Sequence, residues 1–192
     1  MKNILVTGCN GQLGNEMQLL ATGYPEFNYF FTDVKELDIT DENAVKSFVK
    51  TNGIDCVVNC AAYTAVDKAE ADEAFCNILN HIAPGYLAKA VHEQGGCMIQ
   101  VSTDYVFDGT THIPYREEEP TCPATVYGRT KLAGEEAVMR NCPESVIIRT
   151  AWLYSTFGNN FVKTMLRLGR EKESLGVIFD QIGTPTYARG QI

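Results

Sequence analysis

The sequence predicts an α/β protein built on a doubly wound parallel sheet. Short apolar runs of strand type alternate with helical stretches along the chain. The runs are apolar on both faces, which is typical of parallel strands covered by helices on either side. Because no repeat and no flexible linker interrupts this alternation, we expect one main domain over residues 1–180.

The elements are predicted in chain order from these runs and from helix-end signals. Pro84 should kink or restart the long helical region between the third and fourth strands. Thr40 is the expected N-cap of the second helix, which a glycine closes. Strands are expected at 3–7, 28–33, 55–60, 97–102, 145–150 and 175–180, and helices at 12–22, 41–53, 159–173 and from Tyr127 onward.

Charge and hydropathy exclude two classes of partner. A net charge of −8 argues against nucleic acid and against an anionic membrane surface, since both attract basic patches. The apolar run in "MKNILVTG" is too short for a signal peptide, and no membrane-length segment follows. Any phosphate ligand must therefore be held mainly by backbone amides.

Cysteine usage indicates a reducing compartment. The chain has seven cysteines, an odd number, and no two form a C-x-x-C pair. Several lie inside apolar runs such as "DCVVNCAA", where a thiol packs as a small hydrophobic group. We therefore expect reduced thiols and a cytoplasmic location.

A glycine-rich turn predicts a dinucleotide site. The first strand runs into "GCNGQLG", with Gly8 for a tight turn, Gly11 for approach to a pyrophosphate and Gly14 for close helix packing. Asp33 follows at the end of the second strand, where an acid can accept from a ribose 2′-hydroxyl. The pattern indicates a Rossmann-type domain; the alternative is a plain glycine turn with an unrelated surface aspartate.

The chemistry is predicted at the end of the fourth strand. "VSTDYVFDG" brings Thr103 to the carboxyl edge of the sheet, and the following helix opens with Tyr127 and Lys131 one turn apart. A nearby ammonium should lower the pKa of a phenol from about 10, which would make Tyr127 a better proton donor. The alternative is a core-facing tyrosine with a solvated lysine. His81, His92 and His112 show no ligand spacing to acids, so no metal site is expected.

Seven motifs together resemble one enzyme family. They are "GCNGQLG", "NCAAYTAVDKAE", "STDYVFDG", "VYGRTKLAGE", "IRTAWLY", "GNNFVKTMLRL" and "DQIGTPT". In this order they are similar to dTDP-4-dehydrorhamnose reductases, which are extended short-chain dehydrogenase/reductases. The resemblance implies reduction of the 4-keto group of dTDP-4-dehydro-L-rhamnose, with NADH or NADPH as cofactor and this nucleotide-sugar as substrate.

The resemblance also implies residue roles. Thr103, Tyr127 and Lys131 match the catalytic trio. The cofactor-binding positions are Gly8, Asn10, Gly11, Gln12, Leu13, Gly14, Asp33, Asp38, Ile39, Cys60, Ala61, Ala62, Tyr63, Ser102, Tyr127 and Lys131. The substrate-binding positions are Thr64, Val66, Thr103, Asp104, Tyr105 and Trp152. For Trp152 a buried core indole is the alternative, and for Tyr105 a packing role.

Three rival functions stay open at this point. Nucleotide-sugar 4,6-dehydratases and epimerases share the fold, but a dehydratase has Asp-Glu after the threonine, whereas Tyr105 follows Asp104 here. A relative could also be a non-catalytic regulatory subunit, for example of methionine adenosyltransferase. This chain keeps all three catalytic residues, which favours an enzyme.

Two further expectations concern the cofactor and the C-terminal end. Because Asp33 would repel a 2′-phosphate and no arginine lies in "FTDVKELD", NADH should bind at least as well as NADPH.

Residues 181–192 read as the start of a truncated substrate-binding lobe, so we expect dinucleotide binding with little reductase activity. An apolar face where the lobe would dock should favour self-association, for example as a homodimer.

Overall fold

A parallel five-stranded sheet forms the centre of the computed structural model, which describes residues 1–191. Its strands run in the spatial order β2-β1-β3-β4-β5, and every pair of neighbours is parallel. The doubly wound α/β fold is therefore confirmed. The strands are β1 Lys2–Thr7, β2 Phe27–Thr32, β3 Cys56–Asn59, β4 Cys97–Thr103 and β5 Val146–Thr150.

Helices connect the strands, and two short strands pair beside the main sheet. The helices are α1 Gln12–Ala21, α2 Glu42–Thr51, α3 Val66–Ala69, α4 Glu73–Asn77, α5 Ala83–His92, α6 Val126–Asn141 and α7 Phe161–Glu171. The short parallel strands are β6 Leu153–Tyr154 and β7 Thr186–Tyr187. Turns of 3₁₀ type follow β4 at Asp104–Val106 and β7 at Ala188–Gln191. In the described part of the chain, no helix combines the length and the apolar character needed to cross a bilayer.

Both faces of the sheet are buried. Leu5, Val57 and Met98 stand side by side in the strand register and point into a core shared with α2, α5 and α6. Their strand neighbours Val6 and Val58 face the other way by alternation and are buried as well. This two-sided burial explains why the strands read as continuous apolar runs in the sequence.

The helical region before β4 is interrupted as expected, but in two ways. A π-type turn at Ile78–Ile82 separates α4 from α5, and Pro84 is the second residue of α5. Proline is tolerated in the first turn of a helix because its missing N–H would have no partner there. The π turn itself was not predicted, and it carries the buried Asn80.

Two sequence predictions are wrong. Residues 175–180 do not form a sixth strand: they are exposed, and no neighbouring strand within residues 1–191 pairs with them. An apolar run lacks a strand's hydrogen bonds when no sheet edge lies beside it. The N-cap of α2 is Asp41 rather than Thr40, because the Asp41 carboxylate accepts from the amides of Asn43 at 2.9 Å and Ala44 at 3.1 Å.

The segment predicted to begin a substrate lobe packs on the main domain. β7 pairs with β6, and the turn at Ala188–Gln191 lies against α1. A domain boundary at residue 180 stays a prediction, and Ile192 lies outside the described residues. All seven cysteines are free thiols.

Candidate active-site cleft

A cleft of about 880 Å³ opens at the carboxyl ends of the strands. It lies where the strand order reverses beside β1, the usual ligand position in open α/β sheets. Of the residues predicted for the site, only Asn10, Gly14 and Tyr63 are not on its wall. Those that line it are Gly8, Gly11, Gln12, Leu13, Asp33, Asp38, Ile39, Cys60, Ala61, Ala62, Thr64, Val66, Ser102, Thr103, Asp104, Tyr105, Tyr127, Lys131 and Trp152.

The glycine turn is too crowded for side chains. Gly8 has φ +63°, and a Cβ on it would lie 2.7 Å from the Cα of Ala61 on β3's exit. A Cβ on Gly14 would lie 2.5 Å from the Cα of Cys9, so Gly14 lets α1 pack against the turn without lining the cleft itself. Within residues 1–191 no side chain caps the first amides of α1. These amides and the helix dipole favour an anion at this end.

Asp33 stands where β2 ends and ties the glycine turn to that strand. Its carboxylate accepts from the amide of Asn10 at 3.2 Å and from the amide of Val34 at 2.8 Å. Further along this wall, the hydroxyl and amide of Thr40 donate to Asp38 and lower the pKa of its carboxyl group. This end of the cleft therefore presents two carboxylates that hydrogen bonds hold in fixed positions.

Thr103 and Tyr127 meet at the end of β4. The Thr103 hydroxyl is buried, donates to the carboxylate of Asp104 at 3.1 Å and accepts from the amide of Tyr105 at 3.2 Å. Tyr127, in the first turn of α6, packs edge-on against the ring of Tyr105 with ring centres 5.6 Å apart. Burial raises the pKa of the Asp104 carboxyl group, although its hydrogen bonds act in the opposite direction.

Lys131 is buried one turn after Tyr127. Its ammonium donates to the backbone oxygen of Val101 at 2.6 Å. Burial lowers the pKa of Lys131 to about 8, while the carboxylate of Glu135 on the next turn acts to raise it. The alternative of a solvated lysine is therefore wrong.

The predicted effect of Lys131 on the phenol is not observed. The pKa of Tyr127 is raised to about 12 because burial of the phenol outweighs its interaction with the Thr103 hydroxyl. Asp104 raises this pKa further, and the ammonium of Lys131 is directed to a backbone oxygen instead. Tyr127 is therefore fully protonated at neutral pH.

The comparisons identify the family. Residues 1–190 match the family model of the RmlD substrate binding domain. The chain belongs to this family. It is 46% identical over 190 residues to a dTDP-4-dehydrorhamnose reductase of Salmonella typhimurium, a match that covers 97% of this chain and 63% of that relative. The chain thus spans less than two thirds of the curated relative's length.

Two solved structures of RmlD relatives are similar over nearly all of the chain. A dTDP-4-dehydrorhamnose reductase from Clostridium acetobutylicum has a TM-score of 0.95 at 46% identity and is matched over 98% of this chain and 67% of its own. One from Bacillus anthracis, solved in complex with NADP, has a TM-score of 0.92 at 42% identity with the same coverage of both chains. The fold of this RmlD family member is therefore that of known reductases.

An ion pair behind the cleft of this RmlD domain was missed by the sequence analysis. The guanidinium group of Arg149 on β5 donates to both carboxylate oxygens of Glu135, with its shortest bond at 2.6 Å. It also lies 5.0 Å above the ring of Phe107, which stacks on Tyr115 at 4.2 Å. These contacts fix the loop after β4 to α6, and nothing in the spacing of the sequence pointed to them.

A buried asparagine on the π turn was also missed. The Asn80 side chain accepts from the amide of Tyr63 at 2.8 Å and donates to its carbonyl oxygen at 3.1 Å. Tyr63 follows β3, so this pairing holds the backbone on which the predicted residues Cys60, Ala61 and Ala62 lie. The sequence offered no clear signal for this role, because Asn80 lies beside His81 and three residues after Asn77.

The end of β5 adds a wall that the sequence analysis only partly predicted. Trp152 has φ +51°, is 37% exposed and packs edge-on against Phe161, so the alternative of a buried core indole is wrong. The cleft residues not predicted here are Thr150, Ala151, Leu153, Gly158 and Asn159. Because β5 ends at the same sheet edge as β4, its exit could have been predicted to line the site.

One conclusion about the histidines needs correction. His92 does lie beside an acid: its Nδ1 is 3.3 Å from Oε2 of Glu144, far from the cleft. The fold joins the end of α5 to the connection after α6, which spacing along the sequence could not show. His81 instead contacts Asn77 on its own helical stretch.

Proposed function

We propose that this RmlD domain binds NADH or NADPH in the cleft and carries the catalytic residues of a dTDP-4-dehydrorhamnose reductase. The reaction is reduction of the 4-keto group of dTDP-4-dehydro-L-rhamnose to the hydroxyl group of dTDP-L-rhamnose. The observation that carries the proposal is that the glycine turn and the Thr103–Tyr127–Lys131 group line one cleft. The names of the Salmonella, Clostridium and Bacillus relatives support it.

The residues present fit a nicotinamide dinucleotide. A Cβ at Gly8 would clash with neighbouring backbone, so this turn has room for backbone only. The first amides of α1 lie beside it. At the other end of the cleft, the buried hydroxyls of Ser102 and Thr150 have no partner among residues 1–191. A buried hydroxyl without a partner is costly, so a ligand that bonds to it gains affinity. The NADP complex of the Bacillus relative agrees with this fit.

Each predicted contact has a chemical reason. The α1 amides would hold the pyrophosphate, Asp33 would accept from the adenine ribose, and Lys131 would reach the nicotinamide ribose. When bound, the reduced nicotinamide supplies the hydride that the ketone carbon receives. The chain's own residues must then hold the ketone, exclude water and supply a proton to its oxygen.

Proton donation falls to Tyr127. With a pKa of about 12, the phenol keeps its proton at neutral pH and can donate it to the carbonyl oxygen. The Thr103 hydroxyl can hydrogen-bond the same oxygen. Lys131, with a pKa of about 8, is largely protonated at neutral pH, so it keeps a positive charge one helical turn from the donor, where it can bond to the nicotinamide ribose.

The sugar would lie on the remaining walls of the cleft. Thr64, Val66, Asp104, Tyr105 and Trp152 form these walls around the Thr103–Tyr127 pair. The cleft volume of about 880 Å³ is within the range of roughly 300–1,000 Å³ that ligand pockets have. Tyr105 occupies the position at which a dehydratase has its second carboxylate, and this favours reduction over water elimination. A homodimer and a cytoplasmic location stay predictions.

Turnover and cofactor affinity of variants test the proposal. Tyr127→Phe should lower turnover by about 10²–10⁴-fold and leave NADH affinity nearly unchanged, because it removes only the proton donor. Lys131→Ala should lower both. Tyr24→Phe, at an exposed tyrosine, is the matched control.

The 192-residue chain and the Salmonella relative, of which it spans 63%, should be assayed side by side. NADH and NADPH are titrated by fluorescence, and oxidation of the cofactor is followed with dTDP-4-dehydrorhamnose. A Tyr127→Phe variant that retains most of the activity would remove the tyrosine from its role. Absence of dinucleotide binding would reject the proposal as a whole.

A further inference from the structure

A second cluster of reactive side chains lies at the opposite edge of the sheet. His92 ends α5, while Cys142 and Glu144 lie in the connection between α6 and β5. Their nitrogen, sulfur and oxygen ligand atoms all lie within 4.8 Å of one another. A surface cavity of about 260 Å³, lined by His92, Glu144 and Cys97 among others, opens beside them.

We propose that His92, Cys142 and Glu144 bind a zinc ion. Imidazole nitrogen, thiolate sulfur and carboxylate oxygen are the three ligand types that zinc accepts, at distances of about 2.0–2.3 Å. The thiolate argues against Mg²⁺ and Ca²⁺, which take oxygen ligands. No metal site was predicted because the histidines show no ligand spacing to acids along the sequence. The fold nevertheless brings these three residues together.

The geometry is close to that of a zinc site. Around one tetrahedral zinc, ligand atoms lie roughly 3.3–3.8 Å apart. The Nδ1 of His92 and the Oε2 of Glu144 are already 3.3 Å apart. Both side chains are exposed and can turn, and the sulfur of Cys142 lies within 4.8 Å of both ligand atoms.

Binding changes the state of the thiol and of the histidine. Cys142 is buried, and its thiol donates to the carbonyl oxygen of Gly96 at 3.7 Å. On binding, the S–H bond breaks, the sulfur keeps the electron pair and bonds to zinc, and the proton leaves to solvent. His92 must be neutral to bind. Lys2 and Asp55 also line this cavity. Their opposite charges cancel, so Glu144 and the thiolate determine the net charge of the cavity.

A bound zinc would connect parts of the chain that are distant in sequence. It would join the end of α5 to the entry of β5, at the edge opposite the active-site cleft. Because the ligands come together only in the folded chain, zinc should raise the unfolding temperature, and a chelator should reverse the increase.

Cobalt substitution tests the site directly. Titration of the chain with Co²⁺ should give the visible absorption of a tetrahedral ion together with a near-ultraviolet thiolate-to-cobalt band, and Zn²⁺ should remove both. Cys142→Ser should abolish the thiolate band. His92→Asn and Glu144→Gln should each weaken binding by about tenfold or more, since even indirect changes around a metal cost that much.

Matched controls separate this site from other thiols. Cys122→Ser and His112→Asn replace exposed residues outside the cluster and should leave the titration unchanged. The exposed His92 and Glu144 can be replaced without disturbing the core, so the test holds even if Cys142→Ser does not fold. No thiolate band in the unmodified chain, or a titration unaffected by His92→Asn and Glu144→Gln, would overturn the proposal.

Discussion

Replacing Lys131 with methionine should change how the stability of the fold depends on pH. Burial lowers the pKa of Lys131 from 10.5 to about 8, although Glu135 acts in the opposite direction. A lysine whose pKa is lower in the folded state than in the unfolded state destabilises the fold at every pH at which the lysine of the unfolded chain is protonated. The destabilisation is therefore complete below about pH 8 and disappears as the pH rises toward 10.5.

The expected size follows from the two pKa values. The lowering corresponds to about 3 kcal/mol of lost stability at neutral pH. Between about pH 7 and about pH 9.5, roughly 2 kcal/mol of this should be regained. Methionine has a similar length and no charge, but it leaves the backbone oxygen of Val101 without its donor, at a cost of about 1–3 kcal/mol. This cost does not depend on pH, so the pH dependence is the decisive quantity.

Urea unfolding of both proteins at several pH values measures the effect. The free energy of unfolding of the unmodified chain, minus that of Lys131→Met, should increase by roughly 2 kcal/mol over this pH range. Tyr127 and Cys60 have raised pKa values of about 12 but are present in both proteins, so their contributions cancel. Lys50→Met, at an exposed lysine, should give a flat difference. A difference for Lys131→Met that stays constant within about 0.5 kcal/mol would refute the reasoning.

Two further predictions follow from charged contacts. Arg149→Leu should lower the free energy of unfolding by roughly 2–4 kcal/mol, because it leaves the buried Glu135 carboxylate unpaired. Adding Glu135→Leu to this variant should restore part of the loss. A double variant that is as unstable as Arg149→Leu in urea unfolding, or less stable, would contradict this. The unmodified chain should bind NADH at least as tightly as NADPH, and Asp33→Ala should relax any preference because it removes the charge that repels a 2′-phosphate. Fluorescence titration with both cofactors measures this, and a clear preference of the unmodified chain for NADPH would count against it.

The main sheet was predictable because its strands are buried on both faces. Residues such as Leu5 and Val6 are both at 0% exposure, so each strand appears as an unbroken apolar run. The same signal failed at 175–180, where an apolar run has no sheet edge to join and stays exposed. The prediction of the N-cap of α2 was wrong for a local reason. Thr40 and Asp41 are both good N-cap residues, but the Thr40 hydroxyl donates to Asp38 instead.

The cleft was predictable as far as chain order determines which strand ends meet. Thr103 and Tyr127 could be assigned to one edge because β4 ends at Thr103 and Tyr127 lies in the first turn of α6. The contacts of Asn80 and the pair Glu135–Arg149 join residues that no local pattern connects. The direction of the pKa change at Tyr127 was also out of reach, since it depends on how deeply the phenol is buried.

The energetic cost of the buried cation is itself an argument for function. If Lys131 only filled space in α6, an apolar side chain of similar volume would avoid a penalty of about 3 kcal/mol at neutral pH. Within residues 1–191 its side chain makes one hydrogen bond, to Val101, which offsets only about 0.5–1.5 kcal/mol of that. The remaining cost is concentrated one helical turn from Tyr127, at the wall of the cleft, where the ammonium can reach a bound ligand. We therefore propose that the charge of Lys131 is kept for the chemistry of the cleft and not for packing.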